Sequence, residues 1–231
     1  MKSWIPIALA VMLLGAGCSS PLRDQASIEK DVKLMDRQLI SAAERGDNDR
    51  LRQLLQEGAD MNARDSRGRT AIMAATHGNR PEAVKLLIDA GADINAQDDR
   101  RDNPFLYAGA EGRFEILELL IAAKADTKLT NRYGGTALIP AAEKGHVDNV
   151  RSLLTKTDVD VNHVNDLGWT ALLEAVVLTN GGPKHQEIVR LLIAHGADVN
   201  IADREGVTPL RHAVNRGFAE MEAILREAGA R

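Results

Sequence analysis

Thr70-Ala71-Ile72, Asn103-Pro104-Phe105, Thr136-Ala137-Leu138, Thr170-Ala171-Leu172 and Thr208-Pro209-Leu210 are one triplet written five times. Their first residues are separated by 33, 33, 34 and 38 positions. A second landmark recurs with them: Gly58-Ala59-Asp60, Gly91-Ala92-Asp93 and Gly196-Ala197-Asp198, followed by Asn62, Asn95 and Asn200. A third is an apolar block at 84–88, 116–120 and 189–193. Three landmarks at a near-constant period mark a tandem array. Each unit is too small to bury its own apolar face and must stack on its neighbours.

The residue types say what each unit is. Thr at the head of the triplet suits a helix N-cap, its hydroxyl accepting a backbone N–H. Pro104 and Pro209 then take the first helical position, where the missing N–H costs little. Ala42, Ala75, Ala108, Ala141, Ala175 and Ala213 share one repeat position, where a small side chain lets helices approach closely. Gly46, Gly112, Gly145 and Gly217 end the first helix, and Asn79 stands in that place in the second unit; Gly58, Gly91 and Gly196 stop the second helix. The expectation is therefore two short helices per unit.

With its period of about 33 residues and Thr208-Pro209-Leu210-Arg211-His212-Ala213 close to T-P-L-H-x-A, the chain resembles the ankyrin-repeat family. The resemblance implies an all-α solenoid of about six helix-turn-helix units with hairpin loops, at 37–69, 70–102, 103–135, 136–169, 170–207 and 208–231. Residues 24–36, with Ile28, Val32 and Met35 at helical spacing, are expected to form a short extra helix capping the first unit. Departures from the pattern are Lys124 for Gly, Lys128 for Asn, Pro140 near a helix start, and five extra residues around 179–184. The insertion is expected to lengthen a turn, either as a tolerated surface loop or as a contact for a partner.

The N-terminus adds a second theme. Lys2 precedes an apolar stretch, then Gly15-Ala16-Gly17-Cys18. A positive start, a short apolar middle and small residues form a secretory signal over 1–17. Leu14-Gly15-Ala16-Gly17-Cys18 also resembles the lipobox of bacterial lipoproteins, although the usual Leu three places before the cysteine is Gly15 here. An ordinary export signal with an incidental cysteine is the simpler alternative. The lipoprotein resemblance implies acylation of Cys18, a membrane anchor in which each buried CH₂ contributes about 0.8 kcal/mol, and a short tether before the repeats. The same resemblance implies an outer-membrane destination with the domain facing the periplasm, because Ser19 stands where many inner-membrane lipoproteins carry Asp.

Chemistry is sparse. Net charge is −4 with no basic run, so nucleic acid is not an expected partner. Six histidines form no metal-ligand spacing, no nucleophile elbow or phosphate loop is present, and Cys18 is the sole cysteine. No catalysis, cofactor or metal is expected. By family resemblance the protein is a monomeric module that binds another protein through its hairpin tips and first-helix face. Candidate contacts are Tyr133, Trp169, Arg67, Arg69, Arg100, Arg132 and Arg204, because Tyr, Trp and Arg dominate binding hot spots. The plainer readings are that Trp169 folds onto its own unit and that the arginines are a solvated face. The alternatives to a protein-binding module are a periplasmic small-ligand or haem chaperone and, without export, a cytosolic ankyrin effector.

Overall fold

The computed structural model describes residues 25–231, with side chains from Glu29 onward. Residues 1–24, which include the expected export signal and Cys18, lie outside the described residues. Twelve helices follow as six antiparallel pairs. The first members are α1 (Gln25–Arg45), α3 (Ala71–His77), α5 (Pro104–Ala110), α7 (Leu138–Glu143), α9 (Ala171–Val177) and α11 (Pro209–Arg216). The second members are α2 (Asn48–Gln56), α4 (Pro81–Asp89), α6 (Phe114–Ala122), α8 (Val147–Lys156), α10 (Pro183–Ala194) and α12 (Ala219–Glu227). The odd helices pack in one row and the even helices in a second. A hairpin projects between successive pairs, so the expected solenoid is present.

Close approach of the rows follows from the alanine column. All six of its members are fully buried. Between α5 and α7 the fit is tighter still, because a Cβ on Gly109 would meet the Ala137 Cβ at 2.8 Å. Even helices bury Leu51 and Leu54, Val84 and Leu87, Leu117 and Leu120, and their counterparts along the stack. One continuous core runs through all units.

Capping works as the triplets imply. Thr70, Asn103, Thr170 and Thr208 accept from the backbone N–H of Met73, Leu106, Leu173 and Arg211. The fourth unit differs. Pro140 occupies the place of Ala74, Tyr107, Glu174 and His212, whose N–H groups bond the N-cap carbonyl. Without that bond α7 begins one residue late, and the buried Thr136 hydroxyl has no partner.

The front of the stack departs from expectation. No separate capping helix forms, because 25–45 contains neither Gly nor Pro and runs as one helix, α1. Met35 packs on the core, whereas Val32 is 43% exposed. The insertion also differs from a simple lengthened turn. It starts α10 early at Pro183, giving 12 residues against 9 in α4. The remainder is tied to the last unit: Arg216 donates to the Thr179 carbonyl at 3.1 Å, and Gly181 backs onto the Phe218 ring.

Three of the described residues hold a left-handed backbone where other units use glycine, the first being Asn79 (φ 53°) in the column of Gly46, Gly112, Gly145 and Gly217. Lys124 (φ 60°) stands in the column of Gly58, Gly91 and Gly196, and Arg101 (φ 59°) in that of the hairpin glycines. A side chain there costs about 1–2 kcal/mol, partly offset because glycine is freer in the unfolded chain. Lys124→Gly is expected to stabilise by about 0.5–1 kcal/mol, raising a calorimetric melting temperature by about 2 °C. A fall would mean that the lysine stem contributes packing.

Candidate recognition surface

The hairpins are built on a column that the landmarks do not include. Asp65, Asp98, Asn131, Asn165 and Asp203 each accept, through Oδ1, the backbone N–H groups two and four residues ahead. Each side chain thereby folds one fingertip. Neighbouring tips are joined by backbone bonds, Asp99 to Arg67, Arg132 to Arg100 and Asp166 to Tyr133. A second ladder runs nearer the helices: Asn62, Asn95 and Asn162 accept from the N–H of Asp93, Asp126 and Asp198 in the next unit. At Lys128 this ladder is replaced by Thr127 and Lys128 pairing with Asp158. Loops fixed in this way form a preordered edge, which reduces the entropy lost on binding.

The candidate residues fall into three groups. Tyr133 stands at a tip and is 49% exposed. Arg132 wraps it, donating to its hydroxyl at 2.8 Å and lying 4.7 Å from the ring centre. Arg67 and Arg100 are exposed on neighbouring tips; Arg204 is also exposed but spends one N–H on the Asp166 carbonyl. Arg69 and Trp169 are different. They share the column just before the capping residue, at the base of the hairpin. Arg69 is 3% exposed, with Nε bonded to Asp65 at 2.8 Å and Nη1 to Glu44 at 2.9 Å. Its guanidinium has no face left for a partner, so its expected place on the contact surface gives way to a structural one. Trp169 is half-buried beside its own hairpin. Asp65 is drawn below the ordinary carboxylate range, since the backbone N–H groups and Arg69 outweigh its burial.

Tyr133 borders a notch of about 230 Å³ between the third and fourth tips and helices α7 and α9. Leu167 and Leu178, 52% and 49% exposed, line it with Ile139 and Pro140. Glu143 and Glu174 add two carboxylates. Glu174 is only 6% exposed and accepts from Asn165 Nδ2 at 3.0 Å. Burial, then the charge of Glu143, pushes its pKa up to about 7. Sequence reasoning reached Tyr133 and missed the rest. The available signal was Glu174 itself, a carboxylate inside the otherwise apolar helix 171–177.

The sign of the pH effect follows. Glu174 has a folded pKa above its unfolded value of 4.5, so the folded state holds its proton more tightly. That stabilisation is complete below pH 4.5 and is lost as pH rises through about 7. Glu174→Gln keeps the bond from Asn165 and removes the charge. The variant is expected to exceed wild type by about 2 kcal/mol at pH 8, with the gap closing towards pH 4. Urea denaturation at both pH values checks this, and a gap independent of pH would refute the burial argument.

The histidines are held by structural contacts. His77 stacks on Tyr107 at 3.8 Å, and His146 lies against Gly112. His163, His185 and His195 meet backbone carbonyls, and His212 pairs with Asp203. Among the described residues no three His, Cys, Asp or Glu side chains converge as metal ligands do.

Stacked helix pairs, cross-linked fingertips and an open notch define a solenoid of the recognition class. A family model for ankyrin repeats (3 copies) matches residues 39–131, 105–203 and 160–231. The chain belongs to the ankyrin-repeat family. It is 44% identical over 199 residues to the ankyrin repeat protein YahD of Escherichia coli (strain K12), covering 86% of this chain and 99% of that one. A crystal structure of an ankyrin repeat domain from Acinetobacter baumannii AYE matches at 52% identity and TM-score 0.81, over 84% of this chain and 98% of that one. The ankyrin repeat domain of Bcl-3 matches at 26% identity and TM-score 0.75, over 84% and 86%. Ankyrin repeats form protein–protein interaction modules, and the chain is one.

Proposed function

We propose that this protein is a lipid-anchored, non-catalytic adaptor of the bacterial envelope that scaffolds, inhibits or protects one envelope protein held on its fingertip edge. The notch beside Tyr133 carries this reading. It joins exposed apolar and aromatic side chains to a fixed backbone, the combination from which hot spots are made. Arg67, Arg100, Arg132 and Arg204 lie on the same edge and extend it. Arg69 is left out, and Trp169 takes a supporting place. The envelope assignment rests on the signal-like residues 1–17 and on Cys18. The anchor is acyl chains on Cys18, at the outer membrane and facing the periplasm.

Two measurements test the two halves. Wild type is expected in the membrane fraction with incorporated palmitate, and Cys18→Ser is expected to incorporate none; wild type in the cytosol would refute the anchor. A photo-crosslinking amino acid at position 133 is expected to trap one protein in intact cells, and the same probe at Glu82 on the outer row to trap none. Equal trapping at both positions would refute the edge.

A further inference from the structure

We propose that the notch between the third and fourth fingertips receives an arginine or lysine side chain of the partner protein, flanked there by an apolar residue. The inference rests on the protein-binding reading above and names the chemistry of that same site. Size favours a single side chain. About 230 Å³ falls below the roughly 300–1,000 Å³ of small-molecule sites, yet accommodates one long side chain.

The lining supplies both halves of a complement. Tyr133, Leu167 and Leu178 present apolar surface. Glu143 and Glu174 bring two carboxylates to the same space, close enough that one raises the proton affinity of the other. Among the described residues no cation reaches ion-pair distance of either, and Asn165 is the hydrogen-bond partner of Glu174. Four other glutamates along the stack are paired with cations: Glu44 with Arg69, Glu111 with Lys144, Glu118 with Lys156, and Glu187 with Arg151. The notch therefore holds a carboxyl pair whose second ionisation a cation from outside would favour. Arginine and lysine suit it because their stems cover apolar surface while their heads meet carboxylates. An acidic partner residue would meet repulsion there.

The test uses nitrogen-15 NMR of the protein with the acetylated, amidated peptide Ala-Leu-Arg-Leu-Ala. The comparison peptides carry citrulline or glutamate in place of arginine. The arginine peptide is expected to shift amides of 131–143 and 165–178 and to bind about tenfold tighter than the citrulline peptide, the worth of one charge-assisted bond. Combining Glu143→Gln with Glu174→Gln should remove that preference without lowering the thermal melt. Equal binding of arginine and citrulline peptides, shifts confined to other helices, or no shift would overturn the proposal. So would calcium or magnesium chloride alone shifting the same amides, which would assign the carboxylates to a metal ion. Concentration-dependent shifts at these amides without peptide would assign the notch to a second copy, and would also overturn it. Crosslinking from position 133 in cells is read independently. A protein trapped there with no arginine preference defeats this inference and leaves the proposed function standing.

Discussion

Phe105→Ala is expected to cost about 4 kcal/mol, the largest loss from any single truncation of the stack. Phe105 is the bulkiest fully buried side chain among the described residues. It occupies the position of Ile72, Leu138, Leu172 and Leu210 in the other units. The cost combines lost transfer energy with an unfilled cavity, and tight packing around Gly109 and Ala137 resists collapse into that cavity. In a solenoid the damage spreads by nearest-neighbour contact. Hydrogen exchange should therefore accelerate most in α3 to α8 and least in α11 and α12. Urea denaturation followed by circular dichroism gives the magnitude. A loss below about 1 kcal/mol would mean that the third unit does not couple its neighbours.

Arg69→Ala is expected to cost about 3 kcal/mol, although nothing is removed from the apolar core. Arg69 joins the first hairpin, through Asp65, to the first helix, through Glu44. Truncation leaves the half-buried Asp65 with only the more distant, exposed Arg67, 3.8 Å away. The estimate sits at the lower end for a buried pair because Glu44 is well solvated. A pH signature separates pairing from packing. In wild type the folded pKa of Asp65 is depressed, so its contribution is present above the unfolded value of 3.8 and is lost as pH falls through the folded one. The deficit of Arg69→Ala should therefore shrink in acid. A deficit equal at pH 7 and pH 3 would show that the guanidinium acts only by filling space.

The fold was legible because a stacking unit repeats its constraints. The Thr, Ala and Gly columns each answer one physical demand, a cap, a close approach or a left-handed turn, and the structure meets those demands where the columns lie. The misreadings have physical causes too. The fused α1 was visible in the absence of a breaker from Gln25 to Arg45, but the expected unit boundary at Arg37 drew a division there. Arg69 looked like a tip residue because the column that sets hairpin register alternates between Asp and Asn and was not read as one column. Once Asp65, Asp98, Asn131, Asn165 and Asp203 are aligned, the residues four places on fall at the hairpin base and only those between them at the tip. The notch was not legible, since it joins residues from two units that no periodic pattern links. Glu143 and Glu174 lie at different repeat positions and meet only because adjoining helices bring them together.

The most direct test of recognition on the fingertip edge is hydrogen-exchange mass spectrometry of the protein with and without the partner trapped from position 133. Protection is predicted across 131–143 and 165–178, with the even helices α4, α8 and α10 unchanged. Protection confined to those even helices, with the fingertips and odd helices exchanging as in the free protein, would contradict it.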